Sequence, residues 1–185
     1  VLVGDESLSK RPMKRVIDPL ELMNAKIEST DNHAPLHIYG QNPLQAITYA
    51  SKVSSAQVKS CVILAGLFAD GKTVFQNPPS STKIVTSRNH TELMLKYLGA
   101  DLEEKFVETE KGFIHEISIE GDSVLTAKDL NVPSDISSAA FFLVAGACLP
   151  NSEILLKNVG LNPTRKGIID VLQSLGADIE ILDQK

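Results

Sequence analysis

With 185 residues, 43% of them apolar, the chain is long enough for one domain or parts of two and for a sizeable core. It has no Trp, three Tyr and six Phe, so that core is expected to be aliphatic. A net charge of −5 argues against a general nucleic-acid binder, which carries a basic excess or a basic face, but allows a local cationic pocket. No signal peptide is visible and no apolar run reaches the roughly 18–20 residues of a membrane span, so no membrane partner is expected. Cys61 and Cys148 sit in apolar helix patterns and read as small buried hydrophobes rather than a disulfide or metal pair. That fits a reducing compartment, and the cytoplasm is the expected location.

Val1-Leu2-Val3 reads as a short strand and Gly4–Ser7 as a turn. Pro12 suits the first turn of a helix that runs to about Met23, with Val16, Leu20 and Met23 at helical spacing. Strands are expected at 25–29 and 36–39, joined by a polar stretch over 30–35, with a weaker strand at 44–49. Ser54 or Ser55 can cap the next helix, which runs from Ser55 to about Ala69. Lys72–Gln76 reads as a strand and 77–82 as a Pro- and Ser-rich loop. A helix from Thr86 to Leu98 follows, with Ser87 or Asn89 as cap and Gly99 as stop. Strands are expected at 101–106 and 113–120. After a break at Val132–Asp135 come a helix at 137–149, a strand at 153–158, a helix at 162–175 and a last strand at 178–182. Both ends of the chain look cut, so a piece of a longer protein is expected.

The pattern repeats. Leu98-Gly99-Ala100-Asp101-Leu102-Glu103 returns as Leu175-Gly176-Ala177-Asp178-Ile179-Glu180, and Met23–Glu28 is an imperfect third copy. Ser54-Ser55-Ala56 before one apolar helix matches Ser137-Ser138-Ala139 before another. The recurring unit is strand, helix, strand, helix, strand, strand. The helices 58–69 and 139–149 are apolar nearly all round and should be buried. The strands alternate, with Ile117 and Ile119 between Glu116, Ser118 and Glu120, which leaves one face wet. The expected class is therefore α+β, with helices inside and sheets outside. Neither a Gly-x-Gly-x-x-Gly nor a Gly-Lys-Ser/Thr loop is present to support a nucleotide fold.

The chemistry points to an anion. A helix start carries unpaired N–H groups and the positive end of the dipole. The opening at Ser55, Ala56 and Gln57 fits such a site, with Lys52 and Lys59 adding charge nearby. A plain helix cap remains the commoner reading of such a stretch. Lys10-Arg11-Pro12 and Lys14-Arg15 form a cationic helix start, and Arg88 begins another helix. Arginine suits carboxylates and phosphates because its fork binds two oxygens at once. Arg165 reads as structural, given Asn162 and Pro163 beside it. His33, His37, His90 and His115 lack metal-ligand spacing and are assigned no chemistry. No acid–base dyad stands out, and neither a metal nor a cofactor is implied.

Four stretches occur together and in order: Gly4-Asp5-Glu6-Ser7-Leu8-Ser9-Lys10-Arg11-Pro12-Met13, Ser55-Ala56-Gln57-Val58-Lys59-Ser60, Ser87-Arg88-Asn89-His90-Thr91-Glu92 and Asn162-Pro163-Thr164-Arg165. They resemble the EPSP synthase family of enolpyruvyl transferases over the whole chain. Asn89 stands where many relatives are expected to carry Asp. The resemblance implies two domains, each of three βαβαββ units with helices inside. Residues 1–131 would be the later part of the first domain and 132–185 the first unit of the second. It implies transfer of the enolpyruvyl group of phosphoenolpyruvate to the 5-hydroxyl of shikimate 3-phosphate, with loss of phosphate. On that resemblance Arg11 would hold phosphoenolpyruvate, and Ser55, Ala56, Gln57 and Arg88 would bind shikimate 3-phosphate. The family's catalytic groups fall outside these 185 residues, so this chain alone is expected to be inactive, and its uncovered apolar faces are expected to favour self-association. The alternatives are the related transferase acting on UDP-N-acetylglucosamine, whose reactive cysteine loop is absent, and a non-catalytic anion-binding module.

Overall fold

The computed structural model describes residues 1–85 and 87–182. It divides into two compact units, Val1–Ala127 and Lys128–Lys185. The elements in chain order are α1 (Glu6–Ser9), α2 (Lys14–Leu22), β1 (Lys26–Thr30), β2 (His33–Tyr39), β3 (Thr48–Ala50), α3 (Ala56–Gly66), β4 (Lys72–Gln76), α4 (His90–Tyr97), β5 (Leu102–Thr109), β6 (Gly112–Glu120), α5 (Ile136–Cys148) and α6 (Gly167–Ser174).

In the first unit, the expected turn at 4–7 becomes the single helical turn α1, because the Asp5 carboxylate accepts the Leu8 N–H at 2.7 Å. Helix α2 starts at Lys14, two positions after Pro12, and the Met13 N–H is spent on Asn32 O at 2.7 Å. The polar connection expected over 30–35 shrinks to Asp31 and Asn32. Both take left-handed backbone, at φ 51° and 59°, which closes a two-residue hairpin and lets β2 begin at His33. Ile17 of α2 closes over Ile27 and Leu36 of this hairpin. Leu2 makes one bridge to Leu36, and Leu44 one bridge to Ala69, so of the strands expected at 1–3 and 44–49 only Thr48–Ala50 forms, while 44–46 bonds singly to Phe68, Met23 and Asp70 rather than in a ladder.

The main sheet has the order β3-β4-β6-β5; β3 is parallel to β4 and the other pairs are antiparallel. Its register aligns Thr73 with Ile119 and Phe75 with Ile117, and Leu102 with Ile119. These side chains share the inner face, and α3 lies on it through Val58, Val62 and Ile63. Gly66 permits the close approach: a Cβ there would stand 2.7 Å from Ile119 Cγ2. The opposite face carries Lys72 between Glu103 and Glu120, at 3.2 and 3.4 Å, and Lys105 with Glu116 at 2.7 Å. The charged face opposite is the sidedness expected from the alternation, but α3 is covered on one side only: Leu64 is 41% and Phe68, just past its end, 62% exposed, so the helix expected to be buried all round is not.

The second unit departs from expectation. Asp135 caps α5, accepting the N–H groups of Ser137 and Ser138 at 3.2 and 3.1 Å. Its apolar sequence predicts a buried helix, yet Phe141 is 80% and Phe142 58% exposed. Only the side bearing Ile136 and Ala139 is covered, by Ile169 and its neighbours. Apolar character drives burial only where another element lies over it. The strands expected at 153–158 and 178–182 do not form, because extended backbone becomes a strand only along a partner edge and, among the described residues, the first segment meets one only at its end, where Asn158 O accepts the Ser134 N–H at 2.6 Å beside a single bridge from Ser134 to Val159. Helix α6 starts at Gly167 because Asn162 first closes a turn, accepting the Thr164 N–H at 2.8 Å on its side chain. Cys148 is exposed and Cys61 half-buried, both as free thiols, against the expectation of two buried cysteines.

Candidate anion site

The site is built where α3 and α4 begin. Ser55 occupies the cap position of α3 with extended backbone, at φ −129° and ψ 116°. Its hydroxyl accepts the Val58 N–H at 3.4 Å and donates to Gln57 Oε1 at 3.2 Å. The N–H groups of Ala56 and Gln57 are the first two of the helix and have no intrahelical acceptor. The Gln57 side chain is exposed, while Ser55 and Ala56 are half-buried.

Helix α4 is tied to this opening from below. Lys59 and Glu92 are both fully buried and form an ion pair between α3 and α4. The same ammonium donates to Arg88 O at 2.7 Å. Ser60 Oγ and Thr91 Oγ1 meet at 2.6 Å one turn away. The Arg88 backbone is thus tied through its carbonyl to Lys59, four residues on from the Ser55 cap, and its side chain is exposed with no ion pair or hydrogen bond among the described residues. Ser87 Oγ, next to it, is sheltered and without a hydrogen-bond partner among the described residues. Asn89 holds the cap position of α4 but makes no side-chain capping bond, and Glu92 in the first turn complements the dipole. Thr86, the expected start of this helix, lies outside the described residues.

One sequence expectation changes here. Lys59 does not add charge to the opening, because Glu92 neutralises it in the interior. Arg11 does not join the cluster by any hydrogen bond or ion pair of its side chain among the described residues. It is exposed in the link between α1 and α2, where its N–H donates to Leu8 O at 3.0 Å. Arg165 behaves as the structural residue expected: it contacts Ser137 Oγ and lies 3.6 Å from Asp135 Oδ1. The Lys59–Glu92 pair itself was not foreseen. Its only signal in the sequence was a Lys in the middle of an apolar helix, where a charge must find a partner.

A second polar cluster lies on the inner face of the sheet. His115 is 3% exposed, places Nε2 3.1 Å from Glu104 Oε2, stacks on Phe106 at 4.9 Å and is met by the Asn77 amide at 3.4 Å. The His115 and Lys96 contacts together hold the Glu104 carboxyl down at about 2, His115 contributing most. This cluster joins β5 to β6 and, through Lys96, to α4. Among the described residues no group of three or more His, Cys, Asp or Glu is placed to hold a metal.

The comparisons with known proteins decide the family. The model of EPSP synthase (3-phosphoshikimate 1-carboxyvinyltransferase) matches residues 1–185. The chain belongs to this family. It is 50% identical over 181 residues to the 3-phosphoshikimate 1-carboxyvinyltransferase of Coxiella burnetii, covering 98% of this chain and 38% of that protein. The Bacillus subtilis enzyme of the same name is 52% identical over 182 residues, covering 97% of this chain and 39% of its own. Among solved structures, an EPSP synthase from Acinetobacter baumannii superposes with a TM-score of 0.80 at 42% identity, covering 99% of this chain and 38% of that one. The chain therefore spans about two fifths of the length of the relatives it matches, and family membership extends to the α+β fold described above.

Proposed function

We propose that this chain contributes the shikimate 3-phosphate side of an enolpyruvyl transferase. In the reaction the 5-hydroxyl of shikimate 3-phosphate adds to C2 of phosphoenolpyruvate as C3 is protonated, and the tetrahedral intermediate then loses phosphate. The observation that carries the reading is the joining of two anion-binding features, the α3 opening and Arg88, by Lys59 within a chain matched by the family along its whole length. The phosphate of shikimate 3-phosphate would lie against Ser55 and the N–H of Ala56, with Gln57 and Arg88 on the same substrate. A dianion gains there both from unpaired N–H donors and from a bidentate guanidinium. Arg11 would meet phosphoenolpyruvate. No residue of this chain is given a proton-transfer role, and no cofactor is invoked. Residues 1–131 would form the later part of the first domain and 132–185 the first unit of the second.

Calorimetric titration of the chain with shikimate 3-phosphate tests the assignment. Saturable binding is expected, weakened about tenfold or more in Arg88→Ala and also reduced in Gln57→Ala, since a hydrogen bond to a charged group contributes about 1.5–3 kcal/mol. Equal binding by parent and Arg88→Ala would refute the placement of substrate. The exposed Phe141, Phe142 and Leu149 also support self-association of this chain through α5. Sedimentation should show mass rising with concentration, and a concentration-independent monomer would count against it. No helix among the described residues is long and apolar enough to cross a membrane, and the two free thiols favour a reducing compartment such as the cytoplasm.

A further inference from the structure

Lys59 is buried, charged and not exposed to any ligand, and it makes two contacts at once. Structural pairing with Glu92 needs only one of them. The second, from its ammonium to Arg88 O at 2.7 Å, is to the backbone of the one arginine assigned to the α3 opening. Arg88 lies just before α4, where its carbonyl is not part of a regular helix ladder, and among the described residues no other hydrogen bond holds its backbone. A long side chain fixed to a loosely held backbone presents its guanidinium over a wide range of positions. Fixing that carbonyl from inside α3 narrows the range without occupying the guanidinium. The ammonium also needs its several donors satisfied to be buried at all. The Glu92 carboxylate takes one direction and the Arg88 carbonyl another. The Ser60–Thr91 hydroxyl contact at 2.6 Å, one residue from Lys59 on α3 and one from Glu92 on α4, ties the same two helices a second time.

We propose that Lys59 is a positioning residue for anion binding: it acts through the Arg88 backbone to hold the guanidinium at the α3 opening, while Glu92 balances its charge. This rests on the reading of the α3 opening and Arg88 as the substrate site.

The test uses the whole chain and four variants beside the parent. Lys59→Met/Glu92→Met removes both buried charges at similar volume, which leaves no orphaned ion and preserves the fold. Arg88→Ala removes the guanidinium. The triple variant combines them. Affinity for shikimate 3-phosphate is read by calorimetry, with inorganic phosphate as the second probe. Cleavage after Arg88 by trypsin is read separately, because the bond cut there is the one whose carbonyl Lys59 holds. The double variant should keep the parental unfolding midpoint, bind about tenfold more weakly and be cut after Arg88 faster. In the Arg88→Ala background the Met pair should cost no further affinity, since the latch acts only through Arg88. That non-additivity is what a merely structural pair would not produce. Conservative Lys59→Arg, which keeps charge and donors, should recover part of the affinity. Parental affinity in the folded double variant, or full additivity in the triple, would overturn the latch. Arg88→Ala binding as the parent does, or a parent that does not bind, would instead overturn the reading of the site. The latch would then stand or fall on the trypsin rates, and unchanged cleavage of the double variant would overturn it.

Discussion

Replacing Lys59 with Met should be among the most damaging single changes in the first unit. Lys59 and Glu92 are each 0% exposed, and the exchange leaves the Glu92 carboxylate in an apolar interior without its cation. Breaking a buried pair on one side costs about 3–5 kcal/mol, a large part of the roughly 5–15 kcal/mol that holds a domain together. With a urea dependence of about 1–3 kcal/mol per molar, the midpoint should fall by about 2 M. Far-UV circular dichroism is the suitable probe, because the chain has no Trp. The double exchange Lys59→Met/Glu92→Met should return to within about 1 kcal/mol of the parent, since apolar residues of similar volume replace buried pairs at little cost. A single Lys59→Met that costs less than about 1 kcal/mol, with the double no better than the single, would refute the argument. Glu92 would then be reaching water.

Acid should weaken the first unit through Glu104. Its folded carboxyl lies at about 2, below the ordinary 4.5, so its contribution is complete above about pH 4.5 and is lost as the pH falls toward 2. Urea midpoints measured between about pH 6 and 2 should drop over that window, and Glu104→Gln should flatten the slope there. Two glycines should respond to alanine with opposite signs. Gly66→Ala places a Cβ 2.7 Å from Ile119 Cγ2 and 3.0 Å from Thr73 Cβ, and should cost about 1–3 kcal/mol in the same unfolding assay. Gly167→Ala, in α6 with nothing within 4 Å, should be neutral or stabilise by about 0.5–1 kcal/mol. A destabilised Gly167→Ala would mean that α6 needs backbone freedom the structure does not show.

The sequence by itself determined the elements whose signals are local. Lys72–Gln76 is a strand with the bounds its pattern predicts, Ser55 caps α3, and Gly99 stops α4 with φ at 95°. It also determined which side chains of β6 face α3, because alternation of Ile117 and Ile119 is a property of consecutive residues, although Ser118 between them is itself buried against expectation. The helix start at 55–57 was likewise legible, since helix caps announce themselves over a few positions. Tertiary structure decided the rest, and the reason in each case is a partner distant in sequence. Lys59 looked like free charge until Glu92, on another helix, was seen to take it. The apolar run of α5 predicted burial, but burial depends on what lies over a helix, and Phe141 remains 80% exposed. The segments 153–158 and 178–182 have strand patterns but no described edge to pair with along their length, and backbone pairing requires two chains of atoms where a pattern supplies one.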